Sequence, residues 1–104
     1  FDALFVGNDQ MALGVLRAAR QIGLRVPEDL AIVSFDDIPE AAYFCPPLST
    51  VRQEMVELGS SAVSELDRLI SLAQQGELAE PRALFLQPRL IVRQSSVVAK
   101  GGCP

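Results

Sequence analysis

Apolar and polar positions alternate along the chain in blocks that read as a strand, a helix and a strand. Ala3–Gly7 is a short apolar run of strand length. Asn8 and Asp9 follow, both good helix N-cap or first-turn residues. Asp9–Ile22 is predicted to be a helix with an apolar stripe of Met11, Val15, Ala18, Ala19 and Ile22. Gly23 supplies its stop, and Pro27 confirms that the helix has ended. Ala31–Phe35 is a second apolar run, continuous rather than alternating, as expected of a parallel strand covered on both faces. Strand, helix and strand within this span make one βαβ unit with a right-handed crossover. The expected class is α/β with a parallel, doubly wound sheet.

The second half is less regular. Ser49–Val51 suits a third, very short strand. Thr50-Val-Arg-Gln53 has the spacing of a capping box and is expected to open the longest helix, from Gln53 to about Gln74. Met55, Leu58, Ala62, Leu66, Leu69 and Ala73 recur at steps of three and four, so that helix is amphipathic. Its stripe needs a surface that the short sheet does not offer, which suggests a second lobe outside this chain. A polar turn runs from Gly76 to Pro81. Ala83–Leu86 and Leu90–Arg93 are strand-like runs interrupted by Pro88, which keeps that part at an edge or in a link. Ser95–Pro104 reads as a frayed tail.

Composition narrows the class. The 104 residues suit one domain or part of one, and the chain opens on Phe1 with a strand-like run close behind, as a piece cut from a longer protein would. At 49% hydrophobic and 21% charged it is a folding sequence. The net charge of −4 argues against nucleic-acid binding by these residues themselves. No apolar run is long enough to span a membrane. There is no His, so a Ser-His-Asp set is excluded and a zinc site is not expected. Cys45 and Cys103 lack metal-ligand spacing and are expected to be free thiols in a reducing cytosol. No cofactor is implied.

Candidate chemistry sits at the strand ends, because ligands of open α/β sheets bind beyond the carboxyl ends of the strands. Asn8 follows the first strand and Asp36 the second. An amide and a carboxylate facing one crevice suit a small neutral ligand rich in hydroxyls, a sugar or a nucleoside ribose. The competing use of both residues is capping, Asn8 of its helix and Asp36 of a turn. Asp36 and Asp37 could instead form an acid pair for a metal or phosphoryl group. Such sites normally include a nearby lysine, and the only one is Lys100 in the tail. Leu13 points away from the predicted stripe, on the side of Arg17 and Arg20. With the apolar cluster Tyr43, Phe44, Pro46, Pro47 and Leu48 it suggests a partner surface, read here as a two-fold homodimer contact.

Three stretches, VGNDQMALGVLRAARQIGLRVPEDLAIVSFDD, PPLSTVRQEMVELGSSAVSEL and LIVRQSS, together resemble the C-terminal part of the effector-binding domain of the LacI/GalR family. The resemblance covers nearly all of residues 2–96. It implies a type I periplasmic-binding-protein-like fold of two α/β lobes, of which this chain is an incomplete C-terminal lobe. It divides the chain into a lobe core (1–52), a helix crossing toward the other lobe (53–82), return strands (83–94) and a tail (95–104). It implies that Asn8, Asp36 and Gln53 contact effector, with Gln53 also a candidate for the capping box. It sets Leu13, Arg17, Tyr43, Phe44, Pro46, Pro47 and Leu48 in the dimer face. Ser34 departs from the family, which often carries glycine there. The function implied is that of a cytoplasmic, dimeric transcriptional regulator, not an enzyme, that senses a sugar or nucleoside-like effector. Operator DNA would be read only through an N-terminal helix-turn-helix that has no counterpart in these residues. The alternative is a periplasmic sugar-binding protein of a transport system.

Overall fold

The computed structural model describes residues 1–98. The expected tail beyond Val98, with Cys103 and Lys100, lies outside the described residues. The chain divides into two compact units, Phe1–Arg52 joined by the chain from Arg89 onward, and Gln53–Pro88.

The first unit is built on a four-stranded sheet. Its strands are β1 (Ala3–Phe5), β2 (Ala31–Asp36), β3 (Ser49–Arg52) and β4 (Arg89–Ile91), side by side in that order. Helix α1 (Asp9–Gln21) connects β1 to β2, and a 3-10 turn (Pro39–Tyr43) lies between β2 and β3. β1, β2 and β3 are parallel, with Phe5 beside Val33 and Ser34 beside Thr50. β4 runs antiparallel to β3, so the sheet is mixed and not wholly parallel as expected. Pro88 immediately precedes this edge strand, where a missing donor does no harm.

Glycine ends α1 as anticipated. Gly23 takes φ +80°, and the pair Gly23 N–H to Arg20 and Leu24 N–H to Ala19 forms a Schellman motif. The stripe of α1 is rotated from its predicted position. The buried residues are Asp9, Ala12, Leu16 and Ala19, while Met11 and Ile22 are exposed. Only Ala19 is shared with the predicted stripe; the buried face turns instead to the Asp9, Ala12, Leu16, Ala19 spacing. Ala12 and Ala19 flank Leu16 in a buried layer; the core cluster itself joins Ala12 and Leu16 to Val6, Leu30, Ile32, Ala41 and Leu48.

Leu48 is therefore not part of a surface patch. It is fully buried and its N–H bonds Ala41 O, because the 3-10 turn folds back over it. Phe44 is half-buried against the same core, whereas Tyr43 is 87% exposed. β2 also alternates in burial, with Ile32 and Ser34 covered and Val33 and Phe35 only partly so. Its second apolar face is thus half open in these residues. Ser95, expected to fray, is fully buried: its Oγ donates to Ile32 O at 2.6 Å and accepts from Ser49 N at 2.7 Å.

The second unit is helix α2 (Met55–Gln74) and the segment that follows it to Pro88. The helix starts two residues later than expected. Glu54 occupies the N-cap position without a side-chain cap, and Thr50 lies in β3, so the capping box does not form. Gly76 at φ +75° closes the helix with a second Schellman pair. Glu65 then holds the returning chain. Arg68 lies 2.6 Å and Arg82 2.5 Å from it, and their hydrogen bonds bring its pKa down to about 2. Leu84 and Leu86 line a cavity of about 180 Å³ with Leu58, Ser61 and Ala62. Ala83–Leu86 is not a strand, because this unit offers it a helix and no strand to pair with. Along α2 no residue is fully buried, and Met55, Val56, Val63 and Leu66 are all more than half exposed.

Replacing Leu48 by alanine is expected to remove about 2–5 kcal/mol of unfolding free energy, as for other fully buried leucines. Replacing exposed Tyr43 by alanine is expected to change it by less than about 0.5 kcal/mol. Urea unfolding followed by circular dichroism checks both, and equal effects would contradict the assignment of Leu48 to the core.

Candidate functional site

The strand order makes neighbours of the two strands at whose carboxyl ends two of the expected contact residues lie. The register sets Phe5 beside Val33. Asn8 follows the carboxyl end of β1 as the N-cap of α1, and Asp36 is the last residue of β2, the adjacent parallel strand. Asn8 does serve as a cap: its Oδ1 accepts from Met11 N at 2.8 Å. Capping uses the oxygen and leaves the amide nitrogen, a donor, without a partner among the described residues. Asp36 is exposed, and its carboxylate makes no hydrogen bond or ion pair among them. It does not cap a turn. The site therefore offers a donor and an acceptor that the fold has not used.

The backbone at Asp36 is unusual. Asp36 has φ 121° and Asp37 φ 56°, the only non-glycine residues in the left-handed half of the map among those described. Aspartate tolerates such conformations better than most residues, but they persist only where the surroundings enforce them.

Those surroundings involve two further carboxylates, Asp9, expected only as a helix-start residue, and Asp37, expected only as a partner of Asp36 in an acid pair. Asp9 is fully buried at the first position of α1. It accepts from Ser34 Oγ, from Thr50 Oγ1 at 2.6 Å and from Ile38 N at 2.8 Å. Thr50 Oγ1 in turn accepts from Asp37 N at 3.3 Å. Asp37 has a side chain only 4% exposed, and each of its oxygens meets a guanidinium. Arg52 Nε lies 2.5 Å from Oδ2 and Arg93 Nη1 lies 2.8 Å from Oδ1. Arg93 also donates to Leu48 O at 2.8 Å. Burial alone would raise the pKa of Asp37. The bonds from Arg93 and Arg52 outweigh it and hold the carboxyl below its usual range. With both oxygens of Asp37 taken by arginines, Asp36 and Asp37 do not act as a paired acid site.

Asp9 was legible in principle. It heads the spacing Asp9, Ala12, Leu16, Ala19, steps of three and four, and a carboxylate on a buried stripe must be bonded. The pairing of Asp37 with Arg52 and Arg93 joins distant parts of the chain and had no local signal.

The remaining expected residues fall as follows. Gln53 is exposed and is the first residue of the second unit, directly after the end of β3. Leu13 is 49% exposed and Arg17 is also exposed, while Pro46 and Pro47 are half-buried. Cys45 is not a free thiol but is held in a disulfide. The expectation of free thiols rested on sequence separation and compartment, neither of which reports distance in the fold. Among the described residues no cluster of acids or thiols could hold a metal ion, and no helix is long and apolar enough to cross a membrane.

Residues 2–96 match the family model of the periplasmic binding protein-like domain. Over 100 residues the chain is 43% identical to the HTH-type transcriptional regulator MalR of Streptomyces coelicolor, covering 95% of this chain and 28% of MalR. The chain belongs to the LacI/GalR family of regulators. The LacI/GalR assignment is matched in three dimensions. A lac repressor dimer solved with operator and an anti-inducer superimposes with a TM-score of 0.77 at 37% identity, over 93% of this chain and 28% of that one. A LacI-family regulator from Lactobacillus casei solved with bound glucose gives 0.70 at 32% identity, over 91% and 32%. The chain thus spans about 28% of the length of MalR.

Asp37 gives a pH test. Its folded pKa is depressed, so the stability it contributes is complete above its ordinary value of 3.8 and is lost as pH falls through the lower folded value. D37N is expected to lower stability by about 3 kcal/mol at neutral pH, since two arginines lose their carboxylate. It is also expected to flatten the fall in stability between pH ~5 and ~2. Urea midpoints measured across that range check both.

Proposed function

We propose that this chain is the C-terminal-lobe portion of the effector-sensing domain of a cytoplasmic transcriptional regulator that binds a small hydroxyl-rich molecule, a sugar or a nucleoside. The observation that carries the reading is the pair of unused groups at neighbouring strand tips, the amide nitrogen of Asn8 and the bare carboxylate of Asp36. Sugar hydroxyls both donate and accept, and this pair supplies one partner of each kind. Glucose bound to the L. casei relative supports the ligand class.

In this proposal residues 1–52 form the lobe core, 53–82 the helix that crosses to the other lobe, 83–94 the return and 95–104 the tail. Gln53, at the passage between them, is a third effector contact. The half-open apolar face of β2 and the uncovered stripe of α2 support a larger parent, whose missing parts would cover both. Operator DNA would be bound by a helix-turn-helix elsewhere in that parent, in line with the net charge of −4 here. Leu13, Arg17, Tyr43, Pro46, Pro47 and the exposed part of Phe44 form the homodimer face. Effector and operator then influence each other's binding reciprocally.

The disulfide at Cys45 favours the alternative, a periplasmic sugar-binding protein, because disulfides persist in oxidising compartments. The 43% identity to a DNA-binding regulator outweighs it.

Two measurements on the full-length protein test the proposal. In calorimetric titration with glucose, sucrose and adenosine, D36A is expected to weaken the tightest of these by at least ~10-fold, the loss of a hydrogen bond to a charged group. Unaltered affinity would remove Asp36 from the site. L13E combined with Y43E is expected to convert the dimer to monomer in light scattering, since two buried like charges cannot be accommodated across a two-fold contact. A persistent dimer would place the contact elsewhere.

A further inference from the structure

We propose that Asp9, a residue without access to solvent, positions the effector site: its carboxylate fixes the backbone of Asp36 and Asp37 and so aims the Asp36 carboxylate at ligand. The inference rests on the effector reading given above and adds to it a residue that never touches the effector.

The geometry is a bracket. Ser34 lies two residues before Asp36 and Ile38 two residues after it. The Ser34 hydroxyl and the Ile38 N–H both end on Asp9. One carboxylate therefore pins the chain on either side of the Asp36 tip. The third donor, Thr50 Oγ1, comes from the neighbouring strand. Because the Thr50 hydroxyl proton is committed to Asp9, its lone pairs are left to face the Asp37 N–H, which bonds there at 3.3 Å. Asp9 thus selects both the anchors and the acceptor that hold two positive-φ residues in sequence. Without it, the two arginines still hold the Asp37 side chain, but no bracket on either side of Asp36 opposes the extended conformation a strand end ordinarily takes.

The arrangement also joins the two halves of the site. Asp9 is the residue after Asn8, and Asn8 caps the helix that Asp9 begins. The position of Asn8 at one strand tip and of Asp36 at the next is consequently referred to one buried carboxylate. Ser34 itself is fully buried, so its hydroxyl has no competing partner in solvent and is committed to the bracket.

The test uses the full-length protein, with the tightest binder among glucose, sucrose and adenosine as probe, and D9N, T50V and D36A as variants. Asparagine keeps an acceptor for the Ile38 N–H but loses the second, and valine removes the Thr50 hydroxyl at nearly constant volume. Melting by circular dichroism selects the folded variants. D9N is expected to weaken the probe by about tenfold and T50V by about fivefold while both remain folded. In ligand-free 15N–1H spectra of the same full-length protein, the amides of Asp36, Asp37 and Ile38 are expected to shift while those of β4 stay in place. A purely structural role would lower the melting temperature and leave the affinity of the folded protein untouched. Folded D9N that binds like the native protein, with unmoved Asp36–Ile38 amides, overturns the inference; if D9N does not fold, T50V decides by the same criteria. Should D36A itself bind normally, the effector reading fails first, and the ligand role of Asp9 falls with it.

Discussion

A buried carboxylate is tolerated only when its oxygens are met by donors, because leaving one unpaired costs several kcal/mol. Asp9 meets that condition with neutral donors alone: two hydroxyls and a backbone amide, contributed by β2, β3 and the loop after β2. Each donor comes from a different piece of the chain, so satisfying this one group forces α1, the two central strands and the loop into a single arrangement. The hydrophobic core beneath, Ile32 with Leu16 and Leu48, fixes that these elements pack. It does not fix their axial positions, since apolar contact is non-directional. The directional information at the strand tips comes from Asp9.

Three aspartates within this small region have three environments, and the difference assigns their roles. Asp9 is dry and bonded by neutral groups. Asp37 is nearly dry and neutralised by two arginines, one at the end of β3 and one after β4. Asp36 is wet and bonded by nothing among the described residues. A carboxylate surrounded by two guanidiniums has little to gain from a neutral ligand, and one that is buried has no access to it. Only Asp36 retains lone pairs that a hydroxyl could reach. Adjacent, chemically identical residues are separated by the backbone itself: across two successive positive-φ residues the Asp37 side chain meets the arginines while that of Asp36, just before it, is left out.

How much of this was readable beforehand follows from the range of each interaction. The βαβ unit, the helix stop at Gly23, the end of the long helix near Gln74 and the edge character of the segment after Pro88 rest on local chemistry, and the structure agrees with them. The stripe of α1 was misplaced because the helix carries apolar residues on more than one side, and only its packing on the sheet selects the Ala12, Leu16, Ala19 face. An aspartate heading the correct stripe looked like an ordinary first-turn acid. Thr50 shows the same limit from the other side. Its capping-box spacing with Gln53 is genuine, yet a hydroxyl that can reach a buried carboxylate gains more there than at an exposed helix end. Leu48 looked like surface because it follows two prolines in a loop, and its burial depends on the 3-10 turn folding back over it. In each case a long-range partner outcompeted a local one.

The chain passes between its two units at Arg52–Gln53 and again at Pro88–Arg89, and these passages are paired: Arg52 sits beside Arg89 in the β3–β4 ladder. Asp37 bonds Arg52 at the end of the outgoing strand and Arg93 just past the returning one. The residue next to the proposed ligand contact is therefore tied to both strands that lead to the second unit. Asp36 cannot shift its backbone without moving Asp37, and Asp37 cannot move without releasing an arginine from a nearly dry ion pair. A ligand pulling on Asp36 would thus be resisted first at the crossover strands. The aspartate beside the proposed contact is held by the same two strands at which the chain leaves and re-enters this unit, and the hydrophobic core below takes no part in that tie.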